Sequence, residues 1–207
     1  MPPPALPNGQ IAALTRLLTP FAGARAEAAA GKLLARFGSQ AALLSATPEA
    51  IDSVLAQDRD IGRLVVAARE LVVNAMRESL TGNPVDLADR NFLNYIQVQL
   101  RGRPEEELHV IFLDHSGAYL RDETIALGSA GRIQARFRPL FRRALELNAI
   151  GIILAHNHPS GDPRPSKADI QATHAVRDVG AALEIFLVDH LIVAGSTVTS
   201  MARAGLL

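Results

Sequence analysis

The apolar pattern is helical from Gln10 to about Ser79: Ala, Leu and Arg dominate and β-branched runs are few. Phe37-Gly38-Ser39 reads as a helix end with Gly at the C′ position, followed by Ser as the next N-cap. Thr47-Pro48-Glu49-Ala50 reads as an N-cap with Pro at the first helical position. Pro fits there because that N–H has no partner inside the helix and the fixed φ is already helical. A longer helix is predicted from Asp60 to Glu78. Thr81-Gly82-Asn83-Pro84 is a turn or linker signal, and the domain boundary is placed there. Residues 1–82 then form a small helical domain and residues 83–207 a second one. Asp86 or Asp89 caps one further helix, through Asn91, Phe92, Tyr95, Ile96 and Val98.

Beyond this helix the period changes. Glu106 to Asp114 alternates and then runs apolar through Leu108, Val110, Ile111, Phe112 and Leu113, which predicts a strand. Asp114-His115-Ser116-Gly117 is its turn, and Ala118 to Ala126 its hairpin partner. Arg138-Pro139 opens a helix through Leu147. Ile150 to Ala155 is a short buried strand. Lys167 to Gly180 is a helix with Ser166 as N-cap. Leu183 to Val188 and Leu191 to Val193 read as two strands, and Thr197-Val198-Thr199 as another. Strands and helices alternate only partly, which predicts an α/β (α+β) domain with a mixed sheet flanked by helices.

The 207 residues include 48% hydrophobic ones, enough for packed cores in one domain or two small ones. With no Cys, disulfides and a thiolate nucleophile are excluded, and any metal must be held by N and O ligands. A net charge of +0 offers no global attraction to nucleic acid or an anionic membrane. Residues 1–8 are Pro-rich and do not read as a signal peptide, and the apolar runs are far short of a membrane span. The expected location is the cytoplasm.

The chemistry concentrates between Ala155 and Asp169. His156 and His158 sit at the end of a strand, where residues i and i+2 point to one side. They can serve one point if extended geometry persists through Asn157, and Pro159 favours that. Ser160-Gly161 and the prolines Pro163 and Pro165 form a stiff return. Ser166 caps the next helix, which places Asp169 at N3, where the helix dipole favours an ionised carboxylate. Two His and one carboxylate, with a fourth position left to water, is a ligand set of catalytic zinc. The alternative is an anion-binding loop at a helix N-terminus, merely lined by His.

His156-x-His158 followed by Ser166-x-x-Asp169 resembles the signature of the JAMM (MPN+, JAB) metalloproteases. The longer string from Ile153 to Pro163, with Pro165-Ser166, Lys167 and Asp169-Ile170, resembles the bacterial RadC group, and the likeness covers about residues 102–205. The resemblance implies a JAB/MPN-like, cytidine deaminase-like domain. It implies one Zn2+ per chain on His156, His158 and Asp169, with Ser166 bonded to a tetrahedral intermediate or the water. It also implies an upstream Glu as general base. Within Pro104-Glu105-Glu106-Glu107-Leu108, Glu106 is the match, and Glu107 would point to the other face. The other reading of this acidic triplet is a solvated strand start. The implied reaction is hydrolysis of a peptide, isopeptide or related amide bond, so the expected partner is a peptide or protein substrate.

The chain departs from that family in places. Arg136-Phe137-Arg138-Pro139 stands where RadC chains carry a His-Pro-Arg-Glu-like tetrapeptide, and the Gly-rich turn at Gly128-Ser129-Ala130-Gly131 is altered. The helical half resembles the RadC helix-hairpin-helix region through Leu33 to Ser39 and Ala67 to Leu71. Its phosphate-gripping spot falls on Ala56-Gln57-Asp58, without the glycines that such an amide cradle needs. Weak or absent nucleic acid binding is expected. A DNA-associated accessory protein and a metal-site fold used for protein interaction are the alternative functions. Of the other histidines, His190 is expected to orient a ligand or pack in the core, His174 to face solvent, and His109 and His115 to lie on a strand and turn surface. The Arg132 to Arg143 run reads as a solvated helix face.

Overall fold

A computed structural model describes residues 8–44, 46–55, 59–101, 103, 105–125 and 133–207. These fall into two compact units, Met1–Asn74 and Ala75–Leu207. The sequence boundary at residue 82 lies just past the helix that runs from the first unit into the second.

The first unit is helical. Its elements are α1 (Asn8–Ala22), a turn of tighter helix at Gly23–Arg25, α2 (Ala26–Phe37), α3 (Gln40–Leu44), α4 (Pro48–Val54) and the start of α5 (Arg59–Leu80). The punctuation works as its chemistry requires. Gly38 ends α2 in the left-handed region (φ 78°), and the Ser39 Oγ accepts the Ala42 N–H at 3.1 Å. Thr47 Oγ1 accepts the Ala50 N–H with Pro48 at the helix start. Ala22, Ala26, Ala29 and Ala30 let helices approach closely, and Leu18, Leu33, Leu34 and Ile51 fill the core between them. Ala56-Gln57-Asp58, the spot of the expected hairpin, lies outside the described residues, as does the turn at Gly128 to Gly131.

The second unit holds the end of α5, then α6 (Arg90–Leu100), β1 (Leu108–Leu113), β2 (Tyr119–Ile125), α7 (Ile133–Glu146), β3 (Gly151–Asn157), α8 (Lys167–Ala182), β4 (Phe186–Ala194) and β5 (Thr197–Ser200). Asp89 is the cap of α6, accepting the Asn91 N–H at 2.9 Å. The strands form one mixed sheet in the order β2-β1-β3-β4-β5. β3 is central, antiparallel to β1 and parallel to β4. The parallel pair needs a crossover, which α8 provides.

Both faces of β3 are covered, so all seven of its residues are buried. Ile152 and Leu154 face α7 and α8, in a cluster with Phe112, Phe141 and Val176. Phe92, Tyr95, Ile96 and Leu100 of α6 bury against β3 and β4 from the other side. Gly180 lets the end of α8 meet the start of β4, since a Cβ there would run into the Ile185 carbonyl oxygen. Among the described residues, no helix is long and apolar enough to cross a membrane.

Four local expectations differ from the structure. β1 starts at Leu108 rather than Glu106. α7 starts at Ile133, with Pro139 inside it rather than opening it. Phe137, Leu140, Phe141 and Ala144 form one buried stripe at helical spacing, and that burial outweighs the one backbone bond Pro forgoes. The two strands expected around Asp189-His190 are one, β4. His109 is buried, not on the surface, standing 2.6 Å from Asp122 Oδ2.

Candidate metal centre

β3 carries His156 to the edge of the buried sheet, and the backbone stays extended through Asn157. The His158 N–H continues the parallel pairing by donating to the Val193 carbonyl at 2.9 Å. His158 therefore emerges on the same side as His156. The loop then tightens. Gly161, at φ 79°, donates to the His158 carbonyl, and Asp162 is gripped by the Arg164 guanidinium. That ion pair pulls the Asp162 carboxyl down to about 2. The chain turns into α8 through a complete capping box. Ser166 Oγ accepts the Asp169 N–H at 3.1 Å, and Asp169 Oδ2 accepts the Ser166 N–H at 2.7 Å.

Three side chains converge as a result. His156 Nε2 and His158 Nε2 are 2.9 Å apart, and each lies 3.3 Å from an Asp169 oxygen. All three side chains are largely buried, at 6%, 9% and 16% exposure. Tetrahedral zinc with bonds near 2 Å sets its ligands about 3.3 Å apart, so the triangle has the size of such an ion. His156, His158 and Asp169 are a group that could hold a metal ion.

The proton positions follow from the partners. His158 Nδ1 sits 2.7 Å from the Asp162 carbonyl oxygen, which can only accept, so Nδ1 carries a proton. His156 is set by a longer relay. The Thr173 hydroxyl donates to the Asp169 carbonyl at 2.6 Å, and therefore accepts from His190 Nδ1–H, also at 2.6 Å. His190 Nε2 is then an acceptor and takes the His156 Nδ1–H at 2.8 Å. Burial keeps His190 neutral, with its pKa pushed down to about 3. The two Nε2 atoms turn toward each other and toward the Asp169 carboxylate. Burial works to raise the Asp169 carboxyl, but the adjacent His156 ring and the Ser166 donors outweigh it and hold it below the usual carboxylate range. Two ring nitrogens and a carboxylate face one point, where a cation could be held. The donor set fits the implied ion.

Glu106 lies just before β1, with an exposed side chain. It shares a cleft of about 440 Å³ with His158, Ser160, Asp162, Arg164 and Ser166. Glu107 is turned elsewhere. Its N–H donates to Asn157 Oδ1 at 2.8 Å, and its carboxylate faces Arg103 at 3.6 Å. The hydroxyl of Ser166 is exposed beside Asp169.

Three contributors were not legible in the sequence. Thr173 closes the relay that sets His156. The Asp162 carbonyl sets His158. Asn157, between the two histidines, points its amide across to β1: Oδ1 accepts from Glu107, and Nδ2 donates to the carbonyls of Glu105 at 2.9 Å and Arg103 at 3.3 Å. It clamps the segment that carries Glu106. An Asn that alternates away from two candidate ligands was the available signal. His190 is buried and stands 2.8 Å from Nδ1 of His156, one of the candidate ligands. His174 is half-buried and contacts the Leu206 carbonyl instead of facing open solvent.

Comparison with known proteins agrees with the resemblance drawn from this motif. A family model described as the RadC-like JAB domain matches residues 88–206. A UPF0758 protein of Burkholderia mallei (strain SAVP1) is 38% identical over 207 residues, covering 98% of this chain and 73% of its own length. A UPF0758 protein of Polaromonas sp. (strain JS666 / ATCC BAA-500) is 34% identical over 205 residues, covering 99% of this chain and 91% of its own.

Proposed function

The chain belongs to the RadC-like JAB-domain family, and from that premise we propose that it is a zinc-dependent hydrolase of JAMM type, cleaving a peptide, isopeptide or related amide bond. One observation carries this reading: two imidazole Nε2 atoms and a carboxylate converge at mutual distances of 2.9 and 3.3 Å. Zinc held there, one per chain, would supply Lewis acidity and bring the pKa of a water at the open position close to neutrality.

The chain's own groups do the rest. Glu106, on the wall of the same cleft, takes the proton of the attacking water and returns it to the departing nitrogen. Ser166 has one lone pair committed to the Asp169 N–H, so its hydroxyl proton is free. It donates to the amide oxygen as charge develops there. Asn157 holds the Glu106 segment against the histidine strand, so the base does not drift from the cleft. The substrate on this reading is a peptide or a protein.

The test pairs elemental analysis with a broad peptide-library assay. The purified chain is expected to hold about one zinc. Glu106→Gln is expected to keep that zinc and lose at least about 100-fold in cleavage rate. A wild-type chain without stoichiometric zinc overturns the reading, as does a Glu106→Gln variant that cleaves as well as wild type.

A further inference from the structure

His158 belongs to the walls of two clefts. One holds Glu106 and Ser166. The other, of about 480 Å³, is lined by Arg101, Arg103 and Asn157, with Val193 and Gly195 behind them, and among the described residues no carboxylate lines it. The two clefts meet at the metal centre. In a chain of net charge +0, two guanidiniums in one concavity beside a hydrolytic centre are a local concentration of positive charge.

The basic wall is positioned. Arg103 donates from Nε to the Gln99 carbonyl at 3.2 Å, which orients its guanidinium. Its only acidic neighbour among the described residues, Glu107, is 3.6 Å away and neutralises it incompletely. Arg101 is half-buried, with no acidic partner among the described residues. Asn157 ties the Arg103 carbonyl to the strand that carries both histidines, so the wall and the metal centre share one frame. Guanidiniums in a partly dry concavity bind carboxylates in a fork geometry.

We propose that the Arg101–Arg103 cleft is the subsite for an anionic group of the substrate, a carboxylate close to the amide that is cut. It comes either from an acidic side chain or from a free C-terminus. A carboxylate fits better than a nucleic acid backbone. The cleft is a short concavity with two cations, and polynucleotide binding needs a longer series of phosphate contacts. The identity of the substrate as a peptide rests on the hydrolase reading, but binding at the subsite does not need turnover.

The test uses the zinc-loaded full chain and titration calorimetry with matched peptides. One pair is acetyl-Ala-Gly-Gly-Glu-amide against its Gln isostere; the other is acetyl-Ala-Gly-Gly with a free carboxylate against its amide. The source that the cleft serves is expected to bind about tenfold tighter than its neutral match. Arg101→Gln/Arg103→Gln is expected to erase that preference with zinc content unchanged and, where cleavage is measurable, to raise KM more than it lowers kcat. Should the double variant lose its near-UV circular dichroism, Arg101→Gln alone carries the test, with a several-fold loss expected, because that side chain makes no hydrogen bond or ion pair among the described residues. Equal affinity within both pairs overturns the proposal. So does a preference that survives the variants, or displacement of the acidic peptide by a short oligothymidylate with a steep salt dependence. Acid-selective binding without cleavage of any peptide sinks the hydrolase reading and leaves the subsite standing. Cleavage without acid selectivity does the reverse.

Discussion

Two buried clusters of His and Asp sit on the same sheet, and they differ in where their protons are. Around Asp122 on β2, one carboxylate faces donors: Arg77 Nε at 2.8 Å and the Tyr119 hydroxyl, with His109 Nε2 at 2.6 Å in a bent approach. Burial works to raise the Asp122 carboxyl, and His109 and Arg77 outweigh it and hold it well below the usual carboxylate range. Around Asp169 on α8, the carboxylate faces two histidine Nε2 atoms, while the other ring nitrogens meet the His190–Thr173 relay and the Asp162 carbonyl. Residue types alone do not separate the two clusters. Their surroundings do: the first carboxylate is paired with an arginine, and the second converges with two histidines as a group that could hold a metal ion.

The sharpest way to break that contrast is Asp169→Ala. Bound zinc is expected to fall from about one per chain to near none, by elemental analysis after dialysis. The fold is expected to lose only about 1 kcal/mol, from the capping box. Asp122→Asn should do the opposite. Zinc stays, and urea denaturation at neutral pH is expected to show a loss of about 3 kcal/mol. That is the low end for breaking a buried pair, because Arg77 keeps 36% exposure and reaches water.

The same pair of proteins carries a pH test. A carboxyl whose folded pKa is depressed contributes stability that is full above its ordinary value of 3.8 and is lost as pH falls through the folded value. The stability gap between wild type and Asp122→Asn, both metal-free, should therefore narrow as pH drops below about 4. A constant gap would show that Asp122 stabilises by shape rather than by charge.

Thr173→Val tests the relay at nearly constant volume. His190 Nδ1–H loses its acceptor, the His156 tautomer is no longer enforced, and zinc affinity is expected to weaken about 10- to 100-fold in a chelator competition. Asn157→Ala is the smallest effect. Amide exchange at Glu107 is expected to speed up about tenfold, with zinc retained, since one buried hydrogen bond is lost there.

Legibility followed distance along the chain. His156, His158, Ser166 and Asp169 lie within one strand end and one helix start, where period and capping rules act on neighbours, so their convergence could be read from spacing. Partners brought together from afar could not. Asn157 reaches Glu107 across 50 positions, His156 reaches His190 across 34, and Arg77 reaches Asp122 across 45. His109 looked like a surface residue because alternation reports which way a side chain points, and not what covers that face. β4 looked like two strands because Asp189-His190 reads as a polar break. Asp189 stays buried within β4 because it accepts from the His190 and Ala202 N–H groups and the Ser200 hydroxyl. Pro139 looked like a helix start because its φ suits that position, and nothing local shows the stripe of Phe137, Leu140, Phe141 and Ala144 that carries the helix past it.

The sequence by itself determined the helical first unit, the mixed sheet and the ligand types that meet at the centre. Those depend on periodicity, caps and the geometry of a strand end, all of which act over a few residues. The tertiary structure alone decided which partners the ring nitrogens meet, which His–Asp cluster is paired with an arginine, and what lies on either side of the candidate metal centre. Those depend on donors and acceptors supplied by other strands and helices, and only folding brings them within hydrogen-bond reach.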